Sequence, residues 1–297
     1  MPIGERWVKH MWHGGVMREI KSAEVTEAVA ELCAVAGFEL PADVLKGLMD
    51  ARDKEESPMG RAALDDIILN AQIAGEERLP ICQDTGLAVF FVNMGQEVAL
   101  TGKSLEEAVN DGVKEGYEKF YLRKSVVDDP LFGRANTGTN TPAIIHLRQI
   151  AGDKLEITLA PKGGGCENKS FLRMLAPADG EKGVKRAVVD AVLAAGASAC
   201  PPFVLGVGIG GNSELAMVNA KRAILRDMGT PHHDPRYAAL EGELLELANS
   251  TGIGPQGFGG RITALKVNIE TAPTHIASLP VAVSISCHAA RHASITL

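Results

Sequence analysis

The chain has 297 residues, of which 45% are hydrophobic and 23% charged, and it carries a formal net charge of −7 at pH 7. This length supplies a buried core for one large domain or two ordinary ones, and the acidic balance argues against polyanionic partners such as nucleic acid or an anionic membrane surface. No apolar run is long enough to span a bilayer and none near the start is built like a secretory signal; a cytoplasmic protein is expected, and five thinly spread cysteines point to reduced thiols rather than a disulfide framework.

Residues 1–19, with Trp7, Trp12, His10 and His13, contain no apolar block of seven or more and are expected to form an N-terminal extension: a mobile arm, a packing strand, or an upstream start ahead of Met17. Residues 20–297 are expected to form one α+β domain with a helical N-terminal region and a sheet surrounded by helices. Val25, Ala28, Val29, Leu32, Cys33 and Ala36 follow helical spacing between a capping Ser22 and a terminating Gly37. Cys33 is therefore a core residue, because a free cysteine packs as a small hydrophobe. Similar stripes predict helices over 41–52 and 61–74. The unbroken apolar run 87–93 predicts a buried strand, and Ser104-Leu-Glu-Glu107 is a capping box opening the next helix, with Val109, Val113, Tyr117 and Phe120 on its buried side.

Polar sequence fills 123–141. Two strands are expected over 143–150 and 154–160, joined by a turn at Ala151-Gly-Asp153, the second alternating Leu155, Ile157 and Leu159. A loop with three consecutive glycines, 161–169, precedes a helix over 182–195. A strand over 203–209, helices over 213–228 and 235–248, and strands over 263–269 and 281–286 complete the reading.

Three cysteines stand in unusual settings: Cys82 in Ile-Cys-Gln-Asp-Thr-Gly, Cys200 in Cys-Pro-Pro, and Cys287 in Ser-Cys-His-Ala-Ala-Arg-His. Each lies at a predicted element boundary rather than inside a periodic apolar face. Their separations of 118 and 87 residues form no compact zinc signature, so a shared metal site and incidental buried thiols both fit the residues alone. Cys287-His288 admits a thiol nucleophile with a neighbouring base as a further reading. Glycines 163–165 can bring backbone N–H groups to an anion, with Lys169 adding charge and Arg123 able to grip a carboxylate in bidentate fashion; a tight turn and surface charges are the ordinary alternatives. His275, between Pro273 and Pro280, is either a ligand-bonding histidine or a structural one.

Taken together, Ile81-Cys-Gln-Asp-Thr-Gly86, Asn136-Thr-Gly-Thr-Asn140, Lys162-Gly-Gly-Gly-Cys-Glu-Asn-Lys169, Cys200-Pro-Pro202 and Thr274-His-Ile-Ala277 resemble the class I fumarase and tartrate dehydratase family, and within it the α subunit of the two-subunit form. The resemblance runs from about Ile20 to the C-terminus. It implies a [4Fe–4S] cluster held by Cys82, Cys200 and Cys287, with one iron left without a protein ligand. It also implies a substrate pocket drawn from Gln83, Asp84, Arg123, Gly165 and Lys169, with Asp84 and His275 in catalytic roles. The implied reaction is the reversible hydration of a small dicarboxylate, fumarate to malate first, with the tartrate and mesaconate/citramalate pairs as alternatives. It further implies a β subunit carrying the base for the carbon-bound proton, in an assembly of two α and two β chains. Cys166 departs from the serine associated with this loop in single-chain relatives and is left off the ligand set.

Overall fold

The computed structural model describes residues 17–297, so the expectation for the N-terminal extension lies outside the described residues up to position 16. From Arg18 the chain is ordered into elements. Strand β1 (Arg18–Lys21) leads into α1 (Ser22–Phe38), followed by α2 (Ala42–Lys54) and α3 (Pro58–Glu77). Ser22 is the first residue of α1 rather than its cap: the Glu24 carboxylate accepts the Lys21 N–H, and the Ser22 hydroxyl accepts the Lys103 N–H instead.

Next come β2 (Leu87–Gly95), β3 (Val98–Thr101), α4 (Leu105–Lys119), β4 (Ile144–Ile150) and β5 (Leu155–Lys162). The capping box forms as read: the Ser104 hydroxyl accepts the Glu107 N–H and the Glu107 carboxylate accepts the Ser104 N–H. The 151–153 turn does not make a hairpin of β4 and β5. Strand β2 inserts between them, parallel to β4 and antiparallel to β5. The unbroken apolar run of β2 is the reason, because a strand buried on both faces belongs at a sheet centre, whereas β4 is largely exposed and serves as an edge.

The second half contains the one-turn helix α5 (Gly164–Glu167), β6 (Phe171–Leu175), α6 (Gly180–Ala195), β7 (Phe203–Gly210), α7 (Ser213–Ala223), α8 (Pro235–Asn249), β8 (Ala264–Ala272), β9 (Leu279–Ser286) and β10 (Ala293–Thr296). One four-stranded sheet has the order β10-β5-β2-β4 and the other β6-β9-β7-β8, while β1 and β3 form a small parallel pair. The fold is a single α+β domain.

Each sheet has its own core. Helices α1 and α4 bury Val25, Val29, Leu32, Cys33, Val109, Val113 and Tyr117 against Phe90, Leu155, Ile157 and Leu159 of the first sheet. Burying each such side chain is worth roughly 1.5–3 kcal/mol, and this layer covers the inner strands β2 and β5. Burial pushes the Cys33 thiol up to about 12, as befits a core residue rather than a ligand. Helices α6 and α8 pack similarly on the second sheet. Helix α7 lies between the sheets: Lys221, Ile224 and Leu225, at and just beyond its end, line a cavity with Val89, Phe91 and Ala160. Its close approach to β7 depends on glycine, since a Cβ at Gly206 or Gly208 would sit 1.9 or 2.0 Å from a backbone oxygen of α7.

Candidate active site

Cys82, Cys166, Cys200 and Cys287 come from four loops that meet at one end of the two sheets. Cys82 lies in the α3–β2 connection and Cys166 in α5, directly after β5. Cys200 precedes the start of β7, and Cys287 follows the end of the antiparallel β9, whose Ser286 pairs with Val204. Parallel and antiparallel directions thus bring residues distant in sequence to one rim.

The loop 82–86 is clamped from several sides. The Tyr117 hydroxyl, buried in the α4 layer, lies 3.2 and 3.1 Å from the carbonyls of Thr85 and Gly86. Buried Asn140 donates to the Gly86 carbonyl at 3.1 Å and accepts the Ser125 N–H at 2.7 Å, and the Thr85 hydroxyl donates to the Arg123 carbonyl at 2.6 Å. Asp84 uses both carboxylate oxygens, accepting the Gly86 N–H at 3.1 Å and the Gly164 N–H at 2.8 Å. At Gly86 the backbone has φ +80° and any Cβ would lie 2.7–2.8 Å from the Lys162 backbone, so glycine is required there.

The thiols are linked in turn. Cys82 and Cys287 pack on one small cluster of Ala71, Ala74, Ile81 and Ala289. The Cys200 carbonyl accepts the His288 N–H at 3.3 Å, and the Gln256 side chain spans from the Pro201 carbonyl at 2.8 Å to the His288 ring at 3.1 Å. His288 thus joins the Cys200 and Cys287 loops. Buried Cys166 donates to the Ala199 carbonyl at 3.4 Å and lies beside Cys287. The adjoining Cys166 thiol, together with the positive charge of Arg291, holds the Cys287 thiol well below its usual range against the opposing effect of burial. The same proximity and burial push Cys166 upward. Cys200 is raised by burial and by the nearness of Cys287 and Cys82.

Of the other residues singled out in the sequence, Gln83 is exposed beside Cys82, with its amide oxygen 3.6 Å from the Cys82 sulfur. Arg123 is exposed, its backbone held to Thr85. Gly165 is an exposed residue of the α5 turn, whereas the Gly164 N–H in the same turn is already taken by Asp84. Lys169 donates to the Ala194 carbonyl in the last turn of α6 at 3.2 Å. His275 is not brought to the thiols. It lies in the exposed turn after β8, whose Ala272 pairs with Gly210, at the opposite end of the second sheet from Cys200 and Cys287. A Pro-flanked polar turn reads the same at either end of a strand, and only the sheet topology separates the two cases.

Two buried cations escaped the sequence reading. Lys162 is 7% exposed and donates to the Ile285 carbonyl, joining the two sheets, and burial pushes its ammonium downward. Arg291 is 6% exposed and donates to the Asp84 carbonyl. The only sequence signal for Arg291 is a charge following two alanines just after Cys287.

Among the described residues no three His, Cys, Asp or Glu side chains converge closely enough to hold a single metal ion. An iron–sulfur cluster, by contrast, takes each thiolate on a different iron, and Cys82, Cys200 and Cys287 stand on three separate loops around one rim.

The thiols and two buried cations are thus gathered at one end of the sheets of a mixed α+β domain. A family profile described as fumarate hydratase (Fumerase) matches residues 26–296. A Methanocaldococcus jannaschii protein provisionally named as an L(+)-tartrate dehydratase subunit alpha is 43% identical over 276 residues, covering 91% of this chain and 96% of its own. The L(+)-tartrate dehydratase subunit alpha of Escherichia coli K12 is 36% identical over 276 residues, covering 92% and 90%. This chain belongs to the fumarate hydratase (Fumerase) family and is a hydro-lyase. No helix among the described residues is long and apolar enough to cross a membrane.

Proposed function

We propose that the chain is the α subunit of an iron–sulfur hydro-lyase that removes water from a small hydroxy-dicarboxylate, with a β subunit completing the active site. The arrival of Cys82, Cys200 and Cys287 at one rim from loops 118 and 87 residues apart is the observation that carries this reading. L(+)-tartrate is the first substrate, because the relatives at 36–43% identity are named for it. Fumarate with malate is the second, supported by the description of the family profile. The order of preference therefore differs from the one implied by the sequence motifs. Loss of water from tartrate gives oxaloacetate after tautomerisation, with no net redox change.

Held by the three cysteines, a [4Fe–4S] cluster would offer an iron without a protein ligand, a Lewis acid toward the leaving hydroxyl. Binding and orientation fall to this chain's own residues. The exposed guanidinium of Arg123, anchored next to Thr85, suits a substrate carboxylate. Gln83 presents an amide beside Cys82, and Asp84 holds the glycine turn so that Gly165 stays at the rim. Lys169 adds positive charge to the same loop. A dehydratase also needs a base for the carbon-bound proton, and we assign that base to the β subunit. Tyr121, two residues before Arg123, and Leu131 and Phe132, at the tip of the hairpin that follows it, are 90%, 70% and 85% exposed, which supports a partner chain closing over this side of the chain. Two α and two β chains form the proposed assembly.

The test is turnover by an anaerobically assembled α/β complex on tartrate, malate and citramalate. Tartrate should be preferred by about tenfold or more in kcat/KM, the scale on which one hydroxyl is discriminated, and the α chain alone should be inactive. Full activity of the α chain alone would refute the division of labour, and a preference for malate would favour the second substrate.

A further inference from the structure

We infer that Arg291 is a positioning residue: it sets the spacing between the Cys82 and Cys287 loops and places a permanent positive charge beside the thiols. This rests on the reading of Cys82, Cys200 and Cys287 as ligands of one cluster. Arg291 follows Cys287 by four residues, and its Nη2 donates to the carbonyl of Asp84, two residues after Cys82. One side chain therefore spans two of the three proposed ligand loops, across 207 positions of sequence.

The remaining guanidinium nitrogens carry the argument further. Nε and Nη1 are buried and have no hydrogen-bond partner among the described residues. A buried cation without a counter-charge is unfavourable, and a guanidinium cannot relieve this by losing its proton. Asp84, whose carbonyl it holds, lies on the Cys82 loop, and Arg291 itself is four residues past Cys287, so the charge is set between two of the thiol loops. With Lys162, Lys221 and Ser286 it also lines a cavity of about 20 Å³, room for about one water molecule to serve a free N–H. A fold staple alone needs only the Nη2 bond to Asp84. A net-negative group at the rim accounts for the charge as well.

Lys162, the other buried cation here, also lies near Cys166 and Cys287 but bridges no two of the proposed ligand loops. Its ammonium is directed to the Ile285 carbonyl and ties β5 to β9. The planar fork of arginine lets one nitrogen hold Asp84 while the others face elsewhere, which a single ammonium does less well.

The experiment compares full-length wild type with R291M, R291Q and R291K. Each is purified without oxygen and incubated with ferrous iron and sulfide, then scored for iron and sulfide per folded chain and for visible absorption, with circular dichroism as the folding control. R291M and R291Q should lose cluster content or affinity by about tenfold or more, as outer-sphere changes at metal sites do, while R291K stays within about threefold of wild type. A purely structural role would lower the melting temperature of the metal-free variants without changing loading of the folded protein. Wild-type loading in R291M or R291Q, or loading of R291K no better than R291M, would overturn the inference. Should R291M fail to fold, R291Q, which keeps a donor for Asp84, decides it. If wild type itself takes up no iron and sulfide, the cluster reading fails instead.

Discussion

Asp84 accepts the backbone N–H of Gly164 at 2.8 Å across 80 positions of sequence, so a single carboxylate joins the loop of Cys82 to the turn of Cys166. Its other oxygen takes the Gly86 N–H at 3.1 Å. Hydrogen bonds to a charged group are worth about 1.5–3 kcal/mol, and in Asp84→Asn an amide NH2 must face one of these donors. Turnover is expected to fall by about 10- to 100-fold. Faster amide hydrogen exchange at residues 163–165 would show that the turn has been released, and unchanged exchange would show that Asp84 does not hold it.

Gly86→Ala tests the backbone requirement beside the same loop. The substitution forces a Cβ at φ +80° against the Lys162 backbone. Strain of this kind costs of order 1–3 kcal/mol before the clash is added. Denaturant unfolding should show a lower midpoint with an unchanged slope; an unchanged midpoint would mean that Lys162 and β5 shift freely.

Much of this architecture can be read from residue patterns, and what cannot has a physical cause. Helical stripes and the Ser104 capping box mark their elements because local spacing decides them. Strands β1, β3, β6 and β10 are four or five residues long, too short for a periodic signal, and form because neighbours offer them an edge. The separation of β4 and β5 by β2 is a long-range pairing that no turn sequence encodes. At the site, the cysteines stand out by their settings. Lys162 and Arg291 do not, since a lysine or arginine in a polar stretch reads as a solvated charge until packing buries it. Topology alone sends His275 to the far end of the second sheet.

Glu55 gives a pH dependence of its own. Burial raises its pKa, but N–H groups of Arg261, Ser57, Ile262 and Glu56 outweigh that and leave it below the ordinary value of 4.5. A depressed folded-state value means that the carboxylate stabilises the fold fully above the unfolded value and that this stability is lost as pH falls through the folded one. Wild type should therefore lose stability below about pH 4.5. Glu55→Gln should be destabilised at pH 7 by about 1–3 kcal/mol and show a shallower acid decline in urea unfolding. An unaltered acid limb in the variant would rule out Glu55 as its source.

Cys166 is a neighbour of Cys287 rather than a proposed ligand. Cys166→Ser keeps a small donor for the Ala199 carbonyl. Iron and sulfide content of the anaerobically loaded variant should match wild type to within about twofold, the scale of a conservative outer-sphere change. A complete loss would promote Cys166 to the ligand set.

The central claim is that Cys82, Cys200 and Cys287 hold one cluster between them. Anaerobic reconstitution of wild type and of the single variants Cys82→Ser, Cys200→Ser and Cys287→Ser, with iron and acid-labile sulfide counted per chain, tests it most directly. Wild type should bind about four of each and turn brown, as a cubane cluster requires, and each variant should lose most of both. A wild-type chain that stays colourless, or three variants that load as fully as wild type, would contradict it.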